Sequence, residues 1–477
     1  MNMIQKKFKQ GERFIWIGIT FFLLILILFV SFSNRILAQN QTLETQRALE
    51  KFTDILYYVQ EYYVNEDKLE PNNLIDGALN GLFEALDDPY SSYLTSYDLR
   101  SLKDTSTGKF GGVGLVISKK RDSVDDKGNR MENVPIEVIT PIQGTPAYKA
   151  GVSAGDLIIK VDGQSTYKLT LDEVVIILRG RVGTQVTMTI QRGESLIFDV
   201  TVTRENIEIP TVKSALIPGN IGYLKIIEFT KYTPQRVKEV ILDFKSQNYN
   251  ALIIDLRFNP GGVLNAVVDI TDYILSSGPI VSVKGRAAAE NAIYQASRYK
   301  TIVNEKIPIV VLINKGSASA SEILAGALKD TRRATIIGET SYGKGTVQHA
   351  RVIGDSGFRL TVAKYYTPAE ISIDGIGIDP HIIVKEEEFT EEELSSYERL
   401  IKENTISLFV KANPSPTEEE ITQFIKKLKQ EGIILREIAL RRLIKSEINR
   451  TNNNPPIYDL ETDLVLKRAV DFLKANE

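Results

Sequence analysis

The stretch Ile309-Val-Val-Leu-Ile-Asn-Lys-Gly-Ser-Ala-Ser-Ala-Ser-Glu-Ile-Leu-Ala-Gly-Ala-Leu-Lys329 changes its period halfway. Residues 309–313 are continuously apolar, which predicts a strand buried on both faces, whereas residues 321–329 follow the spacing of a helix. Between them Asn314 to Gly316 supplies turn chemistry, and Ser319-Ala-Ser-Glu322 fits a capping box. Working outward, further strand patterns lie at 221–226, 251–256, 280–283 and 334–337, and helical ones at 235–244 and 263–275. Buried strands separated by amphipathic helices predict an α/β core over residues 206–385, with functional groups in loops at strand ends.

At 477 residues the chain is long enough for several domains. Residues 46–107 are expected to be helical, with apolar positions at Leu49, Phe52, Ile55, Leu56 and Val59, then Leu74, Ala78, Leu82 and Leu86. The turn Asp87-Asp-Pro-Tyr-Ser-Ser-Tyr93 interrupts them, and Tyr58, Tyr62, Tyr63, Tyr90 and Tyr93 read as packing residues. Residues 108–205 switch to short β-type runs punctuated by glycine, around a helical pattern at 171–178. Residues 386–477 are charged and helix-patterned, broken at Asn452-Asn-Asn-Pro-Pro456, and predict an accessory helical domain.

The amino terminus is asymmetric. Lys6, Lys7, Lys9 and Arg13 precede an uncharged run from Phe14 to Phe32, and about twenty apolar residues cross a bilayer. The basic flank predicts that residues 1–13 stay cytoplasmic, that 14–33 form an uncleaved single-pass anchor, and that everything beyond the linker 34–45 is extracytoplasmic. A cleaved signal peptide is the alternative, but the run is too long and Arg35-Ile-Leu-Ala38 lacks a small-x-small site.

Composition narrows the chemistry. Hydrophobic content of 43%, charged content of 25% and a net charge of −3 give no footprint for nucleic acid. With no cysteine there are no disulfides, thiolate nucleophiles or sulfur-bound metals. Two isolated histidines, His349 and His381, are too few ligands for a metal, so no cofactor is expected, although composition leaves a Ser-His-Asp triad open. Ser319 ahead of its helix, with Lys344 between Gly343 and Gly345, offers instead a serine nucleophile and a lysine base. Gly338-Glu-Thr-Ser-Tyr-Gly-Lys344 also matches the first seven positions of a phosphate-binding loop. That motif needs Ser or Thr next, where this chain has Gly345, and it opens a helix, where Thr346-Val-Gln-His-Ala-Arg-Val reads as extended.

Two resemblances then become specific. Phe110-Gly-Gly-Val-Gly-Leu115 and Ala150-Gly-Val-Ser-Ala-Gly-Asp-Leu-Ile-Ile-Lys-Val-Asp-Gly163 resemble PDZ domains. This implies that a substrate tail docks at Gly112, Val113, Gly114 and Leu115, as an added edge strand with its terminal carboxylate on backbone N–H groups. Ser319, Asp330, Lys344 and Gln348, with Asp255-Leu-Arg-Phe-Asn-Pro-Gly-Gly262 and Asp374-Gly-Ile-Gly-Ile-Asp-Pro380, resemble the C-terminal processing (tail-specific) peptidases, serine proteases with a serine–lysine dyad. The resemblance implies Ser319 as nucleophile, Lys344 as general base and Gln348 as the residue orienting the lysine, with an oxyanion hole at the N–H groups of Ala320 and Gly262. Asp330 is expected to be structural, because an acid beside Lys344 would stabilise its charged form. Gln348 lies four residues beyond Lys344, which on an extended strand puts both on one face. The chain departs from the family at Ala369-Glu-Ile371, where small and basic residues are common. The implied enzyme is a membrane-anchored endopeptidase acting on proteins or peptides with accessible C-termini, with a homo-oligomer as a further expectation. A catalytically silent PDZ scaffold or chaperone at the membrane surface is the alternative.

Overall fold

A computed structural model of the chain describes residues 43–476 except 67–68, 97, 100–108, 120–133, 143, 154, 170, 194–195, 209, 386–388 and 452–454. The anchor expected over residues 14–33 lies outside this range. Among the described residues no helix is long and apolar enough to cross a membrane.

The chain divides into a unit ending at Asp87 and a unit starting at Asp88. The first contains a helix over residues 43–62 (α1) and α2 (Pro71–Glu84), which starts on its proline. The apolar helix positions Leu49, Phe52 and Ile55 remain exposed, and so do Tyr58, Tyr62 and Tyr63, expected from the sequence to pack. Two helices cannot enclose both of their apolar faces, and the rings of Tyr58 and Tyr62 lie against each other, 4.6 Å apart.

The second unit begins with a feature that the helical expectation missed. Strand β1 (Ser92–Leu94) pairs antiparallel with β18 (Ser356–Tyr366), Ser92 opposite Arg359. Three residues carry no usable period, and only this distant partner makes them a strand.

A neck formed by β2 (Lys109–Gly112) paired with β9 (Glu205–Glu208) encloses a small domain. Its sheet runs β3 (Leu115–Ser118), β4 (Ile136–Pro141), β5 (Leu157–Val161), β7 (Gln185–Arg192), β8 (Leu196–Thr203), with β6 (Gln164–Ser165) on β5 and β3 at one edge. Alternate residues Val186, Met188 and Ile190 point inward and meet Val174 of α4 (Leu171–Leu178). The short helix α3 (Pro146–Lys149) lies between β4 and β5 in the chain.

The large core is a six-stranded sheet in the order β10 (Val212–Ile217), β11 (Ile221–Ile226), β12 (Ala251–Asp255), β15 (Ile309–Ile313), β16 (Thr335–Gly338), β19 (Ile382–Ile383). All neighbours are parallel except the β10–β11 hairpin. Every residue of β12 and β15 is buried, as their unbroken apolar runs require. On one face Leu252, Ile254, Val311 and Ile313 pack against α5 (Thr233–Ser246), α6 (Leu264–Asp272) and α7 (Ala320–Asp330). A second sheet of β1, β18, β13 (Pro279–Gly285) and β14 (Ala292–Gln295), with β17 (Thr346–Ile353) also on β18, flanks this core.

The carboxyl-terminal residues do not form one accessory domain. Helices α8 (Glu391–Lys402), α9 (Thr405–Ala412), α10 (Glu418–Gln430) and α11 (Glu437–Thr451) share their own core around Leu400, Val410, Ile425 and Leu440. Helix α12 (Leu464–Ala475) instead covers the other face of the large sheet, where Leu466, Ala469 and Val470 meet Ile253, Val310 and Leu312. That face is apolar and needs a cover, and the sequence pattern of a helix does not say which sheet it covers. Leu466→Ala should therefore lower the unfolding free energy of the protease core by about 2–5 kcal/mol in urea titration. A helix belonging to a separate domain would leave the core transition where it is.

Candidate active site

Ser319 stands where β15 turns into α7. Its backbone takes φ 54°, unusual for a residue with a side chain, and the serine is nearly buried. The loop is fixed from both sides: Asn314 N–H donates to Ser317 Oγ (3.0 Å), and Ser317 Oγ donates to Leu256 O (2.9 Å). The Ser319 N–H donates to Glu322 Oε2 at 2.7 Å, so the glutamate half of the expected capping box is formed.

Glu322 does more than cap. Fully buried, its carboxylate also accepts Ser341 Oγ–H (2.6 Å), Gly343 N–H (2.6 Å) and Lys344 N–H (2.9 Å). One oxygen, Oε2, thus receives the backbone N–H groups of both Ser319 and Lys344. Burial pushes the Glu322 carboxyl above its ordinary range, and the four donors oppose that rise.

The lysine loop 340–345 closes on Asp374-Gly-Ile-Gly-Ile378. Tyr342 N–H donates to Ser317 O (2.9 Å), and Gly375 N–H donates to Gly343 O (2.8 Å). A side chain at Gly345 would put a Cβ 2.2 Å from Asp374 N, which is why only glycine fits beside the lysine. The Lys344 amine is half-buried and lies 4.7 Å from the centre of the Tyr90 ring, with no salt bridge and no hydrogen bond to Ser319 Oγ among the described residues. Burial lowers its pKa, the charge of Arg359 lowers it further, and Asp88 and Glu322 oppose this.

The third wall is the loop after β12. Gly261 packs so closely on Ser319 that a Cβ there would lie 2.8 Å from Ser319 Cβ. Phe229 N–H donates to Gly261 O and Val263 N–H to Phe229 O, a bridge that leaves the Gly262 N–H out of its pairing. Gly261 and Ala320 therefore sit against Ser319 on adjoining segments, and Gly262, expected with Ala320 as an oxyanion donor, is the next residue along the loop.

The other expected residues are placed less simply. The Gln348 amide donates to Thr346 Oγ1 (2.7 Å) and lies 3.5 Å from Thr361 Oγ1, and Lys344 lies in the loop ahead of β17 and not on the strand. The structure does not bring that amide to the Lys344 amine. Asp330 accepts Ala369 N–H (2.9 Å) and so ties the end of α7 to the turn after β18. In that turn Glu370 pairs with Lys284 and accepts Ser282 Oγ–H (3.1 Å). His349 meets Glu290 (3.3 Å), and His381 Nδ1 accepts Ile336 N–H (2.9 Å), so each histidine is engaged elsewhere. In the small domain Val113 is buried, Gly114 O accepts Ile142 N–H, and Leu115 opens the edge strand β3. Of the groups around the lysine, the sequence pattern marks Tyr90 only as a packing residue and gives no sign of Asp88, Arg359 or the wider role of Glu322. Arg359 Nε–H donates to Tyr90 O across 269 residues, a link no local pattern reveals. Glu322 was visible as a capping residue, but nothing local told of its bonds to the lysine loop.

The fold and this arrangement define a protease with a PDZ module, and comparison with known proteins agrees. Residues 220–384 match peptidase family S41, residues 137–192 match a PDZ domain, and residues 30–97 match the activating protease CtpB N-terminal domain. The carboxy-terminal-processing protease of Bartonella bacilliformis is 42% identical over 368 residues, 75% of this chain and 81% of that one. CtpA of Bacillus subtilis is 31% identical over 358 residues, 75% and 73% of the two chains. A probable CtpA-like serine protease of Staphylococcus aureus is 30% identical over 452 residues, 93% and 86%. The chain belongs to the C-terminal processing peptidases of family S41 and is a serine-type peptidase.

Glu322→Gln puts an amide NH₂ where three backbone N–H groups and a hydroxyl now converge. Misplacing the serine and lysine loops in this way should cost about 100-fold in kcat, with little change in KM, in peptide-cleavage kinetics. Wild-type kcat in a folded Glu322→Gln protein would show that the carboxylate is not needed to position them.

Proposed function

We propose that Ser319 is the nucleophile and Lys344 the general base of an endopeptidase that receives its substrates by their C-terminal tails. The observation that carries this is the Glu322 carboxylate, which holds the backbones of both residues on one oxygen while the lysine amine stays half-buried and without a salt bridge among the described residues. A lysine can accept a proton only when neutral, and desolvation favours that form. The amine leaves the Tyr90 ring, closes on Ser319 Oγ and takes its proton as the hydroxyl attacks the peptide carbonyl. The N–H groups of Ala320 and Gly262 receive the oxyanion, and the positive end of α7 adds to their effect. The lysine then protonates the leaving amine, and water releases the acyl group by the reverse sequence. Gln348 supports the lysine through the β17–β18 hairpin. The edge of β3 at Leu115 takes the substrate tail as an added strand, with Gly112, Val113 and Gly114 at its carboxylate. Residues 14–33 anchor the enzyme, with the catalytic part on the extracytoplasmic side.

Three measurements test this. Ser319→Ala and Lys344→Ala should each abolish cleavage of an unstructured protein, and cleavage persisting in either variant would refute the dyad. In wild type, kcat/KM should rise with pH as Lys344 loses its proton, with a midpoint below the 10.5 of an ordinary lysine. Removing the positive charge in Arg359→Gln raises the lysine pKa, so the limb should move to higher pH. Removing the negative charge in Asp88→Asn should move it lower. A limb insensitive to both substitutions would mean that another group is being titrated. For the anchor, the full chain should stay in membranes after alkaline carbonate washing, and deletion of residues 1–33 should release it.

A further inference from the structure

Arg257 lies in the loop that carries Gly262, yet part of the hold on its guanidinium comes from beyond the stretch that matches the peptidase family. It is buried to 7% exposure. Its Nη1 and Nη2 donate to Asp463 Oδ1 (2.8 Å) and Oδ2 (2.6 Å), a two-point clamp from a residue beyond the stretch that matches the peptidase family. Its Nε and Nη2 donate to Asp255 Oδ1 (3.0 Å) and Oδ2 (2.7 Å), and Tyr223 O–H donates to the same carboxylate (2.7 Å). Asp463 also accepts Leu466 N–H (2.9 Å), capping α12.

The clamped loop leads directly to the nucleophile. Two residues beyond Arg257, the Asn259 side chain donates to Ile226 O (2.8 Å) and accepts Gly261 N–H (2.9 Å). The Asn259 carbonyl accepts Ala318 N–H (3.0 Å) and Ser321 Oγ–H (2.9 Å), on either side of Ser319. We propose that Asp463 is a positioning residue for the peptidase reaction: through Arg257 it fixes the loop that aims the Gly262 N–H at the oxyanion, so the carboxyl-terminal segment completes the active site. A bidentate clamp on a planar guanidinium sets angle as well as distance, which a lone packing contact does not.

Asp463→Asn tests this in the full chain, because asparagine keeps the helix cap while giving up the charge and one acceptor. Val470→Ala, which loosens α12 without touching the clamp, is the control. In Asp463→Asn, kcat should fall about tenfold or more with KM and the pH midpoint unchanged, while Val470→Ala keeps its kcat at a comparable loss of melting temperature. Amide hydrogen exchange over residues 256–264 should also quicken in Asp463→Asn and not in the control. This rests on Gly262 as oxyanion donor; exchange reads the clamp without any cleavage, so failure of the Ser319 assignment would show separately as cleavage by Ser319→Ala. Unchanged exchange and kcat in Asp463→Asn would overturn the proposal, as would equal losses in the control. So would failure of Asp463→Asn to fold, which would assign the residue to stability alone.

Discussion

A carboxylate without access to water organises this site. Burying Glu322 is costly unless its lone pairs are filled, and here three backbone N–H groups and one hydroxyl fill them. Such a set of donors exists only where the start of α7 and the lysine loop meet, so satisfying the charge and bringing the backbones of Ser319 and Lys344 together are one event. Because the acceptor is shared, neither loop can shift without leaving a buried donor unpaired.

The sheet makes that meeting geometrically ordinary. In the parallel ladder Asp255 lies opposite Leu312, and Ile313 lies opposite Gly338. The carboxyl ends of β12, β15 and β16 are therefore level, and the three loops that leave them carry Gly262, Ser319 and Lys344 in that order. Adjacent strands thus supply the three residues to which the proposed function gives the parts of oxyanion donor, nucleophile and base, beyond the strand ends of an α/β sheet. Helix α12 underlies the same strands from the opposite face, which explains how a residue near the end of the chain reaches the loop after β12.

The sequence made visible what is local. The all-apolar runs of β12 and β15, the capping residues of α7 and the glycines around Lys344 each carry their reason in a few neighbouring residues, and the structure places them as those patterns imply. What stayed hidden depends on partners far along the chain. Ser92–Leu94 becomes a strand only against β18, and Tyr90 becomes a wall of the lysine pocket only because Arg359 and Thr361 hold that segment. Gln348 shows the opposite failure. Alternation along an extended strand relates Gln348 to Thr346, but Lys344 lies in the loop before β17 begins, so the strand period does not carry to it.

The charges around Lys344 show why a carboxylate can bind the lysine loop without disabling a neutral amine. Glu322 does raise the lysine pKa, but its effect is the smallest of those acting there, because its oxygens face backbone N–H groups rather than the amine. Burial, aided by Arg359, outweighs it. Arg359 is itself held by Tyr90 O, and Asp88, the opposing charge, is tied to Ser91 and Tyr90 N–H in the same turn. The anion thus sits on the short segment 88–94 and the cation on β18, the strand against which that segment packs. A displacement of residues 88–94 would alter both influences and the hydrophobic cover of the amine together, so basicity at Lys344 is a property of that docked segment as much as of the lysine loop.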